Sequence, residues 1–176
     1  MIHEHQKLFY QATLQNWINN IVFTPRWWIV LGLLVVPWIV WYSLVHKNRI
    51  VEMLVYGLFM SGIILLIDEM GSELTLWTYP VKILPILPRL LTISSSFAPI
   101  IFILLYQYFP KWKSFIIANI ITSAVITLIF QPLAVKLGFL IILNWNHVYS
   151  TLICIAAALI SKLLIELVNN LENKAA

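Results

Sequence analysis

Residues 68–113 read DEMGSELTLWTYPVKILPILPRLLTISSSFAPIIFILLYQYFPKWK, and the fold turns on how this stretch is placed. It opens on three carboxylates (Asp68, Glu69 and Glu73), runs through a proline-rich aromatic segment, crosses an apolar run and closes on Lys111 and Lys113. Charge at both ends with apolar residues between is the pattern of a chain that enters and leaves a bilayer. The flanking sequence extends that pattern as further apolar helices.

Of the 176 residues, 61% are hydrophobic and 10% are charged, and the mean hydropathy is +0.91. Soluble domains are about a quarter charged, so a water-soluble fold would lack the groups to cover this much apolar side chain. The net charge of +4 comes from basic residues lying mostly at the ends of apolar runs, where they set topology and meet anionic lipid. There is no polybasic block, so nucleic acid is not an expected partner. The single cysteine, Cys154, excludes an internal disulfide framework and reads as a small packing residue. The first twenty residues lack the continuous apolar core of a signal peptide, so the first spanning helix is expected to serve as the insertion signal.

The expected fold class is all-α: a membrane-embedded bundle of five transmembrane helices over 25–168. It has an N-terminal helix over 1–24 and a polar, frayed tail over 169–176. The N-terminal segment is moderately amphipathic, which suits a helix lying in the interface; a short solvated helix is the alternative. Thr24-Pro25 supplies a cap and a first-turn proline for a helix over 26–45, kinked at Pro37. Its Trp27-Trp28 and Trp41-Tyr42 pairs lie roughly 20 Å apart, as two aromatic belts would. A second helix covers 50–67, with Gly57 and Ser61 spaced for close helix approach. Pro80, Pro85 and Pro88 forbid a long helix over 70–91, which reads as an interfacial or partly re-entrant connection with short helical turns.

A third helix spans 91–109, polar at Ser94–Ser96 and interrupted by Pro99. A fourth begins at Ser114 and extends past Gln131-Pro132 towards Leu137. On it Asn119, Ser123, Thr127 and Gln131 recur every fourth residue, a polar stripe suited to hydrogen bonding with neighbouring helices. Residues 138–146 are too short to cross; they extend that helix or fold back at the surface. The fifth helix covers 147–168, with Lys162 placed to snorkel near its end. Five crossings put the termini on opposite sides. Lys47, Arg49, Lys111, Lys113 and Lys174 gather on one side, and Lys7, Arg26, Lys82 and Arg89 on the other. The compact KNR and KWK loops favour an N-terminus outside and a cytoplasmic C-terminus.

Taken in order, D-x-x-G-x-E-x-x-L-W-x-Y-P at 68–80, P-x-x-P-R at 85–89 and Y-Q-Y-F-P-K-W-K-S-F at 106–115 resemble the CBO-type family. These are small bacterial membrane proteins met chiefly in spore-forming Gram-positive organisms. The similarity continues through Pro132, the N-W-x-H-x-Y-S run at 144–150 and Lys162. It implies a multi-pass helical protein of the cell membrane and brings no established activity, substrate or cofactor. Gln131 departs from the pattern, which has glutamate there; this chain keeps only hydrogen-bonding ability at that position.

Candidate chemistry centres on the carboxylates. Asp68, Glu69 and Glu73, with Ser72 among them, share adjacent helical turns, and like charges this close favour binding a cation or a proton. The plainer reading is a solvated helix end paired with Lys82 or Arg89, with Asp68 the residue best placed to be drawn into the bundle. No metal site is expected: His3 and His5 form a lone H-x-H, and His46 and His147 fall at opposite ends. No nucleophile elbow, S-x-x-K pair or glycine-rich phosphate loop occurs, so no cofactor is expected. Gln107 and Lys111 could hold a lipid phosphate, or simply anchor the loop. These residues favour a non-enzymatic bundle whose partners are the lipid bilayer and a membrane protein or a second copy of the chain. The alternatives are an enzyme or carrier for a lipid-soluble substrate using Asp68, Glu73, Arg89 and the stripe, and a subunit of a proton or cation pathway.

Overall fold

The computed structural model describes residues 2–85 and 93–175, so Pro88 and Arg89 lie outside the described residues, as do the side chains of His3, His5 and Ser94. Among the described residues the regular structure is helical except for one two-stranded ladder. Its order is α1 (Ile2–Asn20), α2 (Pro25–Leu44), a 3₁₀ turn (Lys47–Arg49), α3 (Ile50–Glu73) and β1 (Trp77–Thr78). A π turn (Ile93–Phe97), α4 (Ala98–Tyr108), α5 (Trp112–Val125), a second π turn (Ile126–Phe130), α6 (Gln131–Lys136), β2 (Ile141–Ile142) and α7 (His147–Ala175) complete it. Four of the described helical stretches are long and apolar enough to cross a membrane: Pro25–Leu44, Lys47–Glu73, Trp112–Lys136 and His147–Leu171. A shorter apolar helix spans Ser95–Tyr108. This is the all-α bundle expected from the sequence.

The start of α2 follows from its residues. Thr24 takes an extended conformation and its hydroxyl accepts from the Trp27 amide, while Pro25 supplies a preset φ where no helical N–H is needed. Pro37 lies inside α2. One residue past the carbonyl that a proline there cannot bond, Ser96 Oγ donates to Leu34 O at 2.6 Å, tying α2 to the first π turn. At its far end α2 is held by Gln107, whose amide nitrogen donates to Leu44 O at 3.0 Å and whose oxygen accepts from the His46 amide at 2.9 Å. Gln107 is therefore committed to capping a helix and is buried; the lipid-phosphate role considered for it with Lys111 does not fit.

Successive helices run back and forth between two ends. One end gathers the 3₁₀ turn, the α4–α5 loop and the later turns of α7, linked by Tyr106 to Glu52, Trp112 to Glu166 and Lys162 to Pro110 O. The other gathers the end of α3, the β1–β2 ladder and the start of α7. Between them Met53, Tyr56 and Met60 of α3 pack with Phe102, Ile103 and Tyr106 of α4, with Phe115 of α5 and with Ala157, Ala158 and Ile165 of α7. Tyr56 stacks on Tyr106 at 4.5 Å, and its hydroxyl donates to Ala158 O. At Gly57 a Cβ would come within 2.5 Å of Ile103, so the glycine of the Gly57/Ser61 pair does mark a close approach, between α3 and α4.

Four expectations are corrected. The second helix runs on to Glu73 rather than stopping at 67, so the carboxylates are helical; Thr75 then turns the chain at φ 55°, a left-handed conformation more usual for glycine. Residues 74–85 hold a strand instead of short helical turns, and of the two alternatives for 138–146 folding back is the one observed. The latter residues return through Gly138 (φ 76°) to form β2, antiparallel to β1, pairing Trp77 with Ile142 and Thr78 with Ile141. Helix α7 continues to Ala175, so the tail expected over 169–176 belongs almost wholly to the helix. Finally, the N-terminal helix ends at Asn20 and is tied down by Trp17, which donates to Lys82 O at 2.9 Å.

Candidate functional site

The polar stripe is built by α5, the second π turn and α6, and it faces α7. Four-residue spacing drifts about 40° per step around a 3.6-residue helix. The π turn over Ile126–Phe130 turns less per residue and brings Thr127 and Gln131 back towards α7; it also accommodates Pro132, which has no N–H for the ladder. Asn119 donates to Ile155 O at 3.1 Å and accepts from Ser123 Oγ at 3.1 Å. Thr127 bonds Ser123 O at 2.8 Å and Thr151 Oγ1 at 2.5 Å. Gln131 donates to Ser150 Oγ at 3.2 Å, and its oxygen meets His147 Nδ1 at 3.0 Å. Asn119, Ser123 and Thr127 are buried, and the stripe is spent on joining two helices.

At the strand end of the bundle the acidic group divides. Asp68 is buried and its Oδ1 accepts from Trp77 Nε1 at 2.9 Å and from the Tyr79 hydroxyl at 2.8 Å. Burial, and then the adjacent Asp68 charge, push the Tyr79 phenol well above its usual range, so it stays neutral and donates. Glu69 is half-buried and Glu73 exposed. Trp77 lies over Gly71, where a Cβ would come within 2.1 Å of the indole ring. Gly71→Ala is accordingly expected to expel the ring and break its bond to Asp68. The cost should be about 2 kcal/mol, typical of overpacking, seen as a lowered Tm in detergent with red-shifted tryptophan emission.

The structure joins the two halves of the candidate site. Trp77 meets Trp145 edge-on at 4.9 Å, and Trp145 Nε1 donates to Ser150 Oγ at 3.0 Å, the same oxygen that Gln131 bonds. A continuous line runs from Asp68 through Trp77, Trp145 and Ser150 to Gln131 and His147. Arg89 lies outside the described residues and Glu73 is exposed; of the expected residues, the line joins Asp68 with Gln131. Trp77, Tyr79, Trp145, Ser150 and Thr151 are the contributors that the sequence reading missed. The N-W-x-H-x-Y-S run carried the signal for Trp145 and Ser150, but nothing local pairs it with residues 77–79.

Chemically the line is a set of mutual hydrogen bonds joined by the Trp77–Trp145 ring contact. His147 Nδ1 is taken up by Gln131 rather than by a serine. Among the described residues no three His, Cys, Asp or Glu side chains converge as metal ligands.

At the opposite end Lys162 is buried rather than snorkelling. Its Nζ donates to Pro110 O at 2.8 Å and sits 4.4 Å from the Phe115 ring centroid, 4.8 Å from Trp112 and 5.6 Å from Tyr106. Trp112 in turn donates to Glu166 at 3.1 Å. Beside it Glu52 accepts from Arg49 Nε at 2.8 Å, Arg49 Nη2 at 2.6 Å and the Tyr106 hydroxyl at 2.6 Å.

The fold and its polar sites define an all-α bundle with four helices long and apolar enough to cross a bilayer. Comparison with protein families, curated proteins and solved structures finds no match.

Proposed function

We propose that the chain is a multi-pass integral membrane protein, a non-enzymatic bundle that acts by association with another membrane protein or with lipid. The observation that carries this is an inverted distribution of polarity. Asp68, Ser96, Gln107, Asn119, Ser123, Thr127, Ser161 and Lys162 are buried, while Ile39, Leu58, Leu66, Ile117, Ile121, Leu152 and Leu167 are exposed. In water that arrangement is unfavourable at both surfaces; in lipid the exposed side chains are solvated and the interior polar groups hold helices together. Kinship with the CBO-type family is part of the same proposal and rests on the motif order within 68–115.

For orientation we favour the N-terminus outside and the C-terminus cytoplasmic. Lys136 closes α6 at the strand end, so the two ends are close in basic count. The compact Lys47–Arg49 and Lys111–Lys113 loops carry the preference for a cytoplasmic opposite end. A membrane partner is tested by cross-linking in native membranes: one protein, or a second copy of this chain, should be captured reproducibly. Recovery of the chain only as an uncrosslinked monomer would count against association. The buried Asp68 favours a second reading, an enzyme or carrier for a lipid-soluble substrate. That reading requires Asp68→Asn to abolish the activity while the amount of folded protein in the membrane is unchanged.

A further inference from the structure

Between the 3₁₀ turn, the start of α3 and the later turns of α7 lies a cleft of about 440 Å³. We infer that it binds the headgroup and upper acyl chain of an anionic phospholipid, an inference that rests on the membrane reading above. Its lining includes the exposed cations Lys47 and Arg49, with Asn169, and the apolar Val55, Ile165 and Val168. Cationic and amide groups lining the same cleft as apolar side chains match a phosphodiester joined to hydrocarbon; a free anion would leave the apolar lining unused. If the Lys47–Arg49 loop faces the cytoplasm, the cleft opens on the leaflet where anionic lipid concentrates.

The charges of the cleft are prearranged. Glu52 is the carboxylate lining the cleft, and it is occupied by three donors: Arg49 Nε, Arg49 Nη2 and the Tyr106 hydroxyl. That pairing fixes one edge of the guanidinium and leaves its remaining N–H donors directed elsewhere, with the side chain 41% exposed. Lys47 is exposed, its ammonium 5.9 Å from the Tyr42 ring centroid. Glu166 of α7 is turned to Trp112. Two cations and one satisfied carboxylate leave the cleft with a net positive charge held in a defined geometry.

The test is native mass spectrometry of the full chain in detergent, with phosphatidylglycerol and phosphatidylcholine of matched acyl chains. Phosphatidylglycerol should be retained on the order of tenfold better, with about fivefold lost per cation removed. Lys47→Gln, an exposed change that spares Glu52, should lower the preference, and adding Arg49→Gln should abolish it. Lys111→Gln with Lys113→Gln removes equal charge from the same end and should leave it intact. Val168→Trp should weaken retention by filling the cleft, and soluble glycerol phosphate should fail to displace the lipid.

Equal retention of the two lipids would overturn the inference, as would equal loss in the Lys111/Lys113 pair. Displacement by glycerol phosphate would reduce the site to one for small anions and overturn the lipid assignment. A chain that is detergent-dependent but shows no lipid preference refutes the cleft alone; a chain soluble without detergent refutes the membrane reading itself.

Discussion

Asp68→Ala is expected to destabilise the protein by about 3 kcal/mol, because it removes the acceptor for two charge-assisted hydrogen bonds. The bonds from Trp77 and Tyr79 hold the 74–80 segment against the end of α3, and through Trp77 the effect should reach Trp145 and the β1–β2 ladder. Asp68→Asn keeps an oxygen at the same position and should cost about 1 kcal/mol. Thermal unfolding in detergent, followed by tryptophan emission, separates the two variants. If Asp68→Ala unfolds like wild type with unchanged emission, the carboxylate does not organise this end, and its burial calls for a chemical explanation instead.

The second large effect is at Lys162. Truncation to alanine empties a site enclosed by Tyr106, Trp112 and Phe115 and removes a desolvated cation from three rings. The cavity and the lost cation–π attraction together should cost about 4 kcal/mol. Lys162→Met fills nearly the same volume and avoids burying a charge, so it should cost about 1 kcal/mol, mainly for the donor lost at Pro110 O. Measured as resistance to denaturing detergent, a methionine variant as weak as the alanine one would assign the stabilisation to the cation. An alanine variant as stable as wild type would show that the lysine is not a structural element.

The sequence made the helices legible because their signals are local. Thr24-Pro25 announces the start of α2, and apolar runs bounded by KNR and KWK announce the turns at one end. The stripe from Asn119 to Gln131 also showed, since its periodicity lies within one helix and its hydrogen-bonding need points inward. What stayed hidden depends on distant partners or on backbone conformations that the residue type does not advertise. Helix α3 continues through its carboxylates because Asp68 finds Trp77 and Tyr79 there, and after it ends at Glu73 the chain turns at Thr75 in a conformation that no glycine flags. The ladder joins Trp77–Thr78 to Ile141–Ile142, too short and too far apart in sequence for any alternation to appear. Lys162 reads as a snorkelling residue until Pro110, Trp112 and Phe115 are seen to enclose it. The Gln131 end of the stripe could be placed on its helix, but its bond to His147 and its shared contact with Trp145 at Ser150 required the fold.

Association with a membrane partner and lipid binding in the cleft both require that lipid surrounds these helices and separates the two ends of the bundle. In a chain freed of its own thiol by Cys154→Ala, cysteines at Asn48 and Asn144 can be probed with a membrane-impermeant maleimide. Both positions are exposed, one at the 3₁₀ turn and the other beside β2. Asn144→Cys should react in intact cells, and Asn48→Cys only after the membrane is opened. Reaction of both from the same face, or recovery of the chain in the soluble fraction without detergent, would contradict the account.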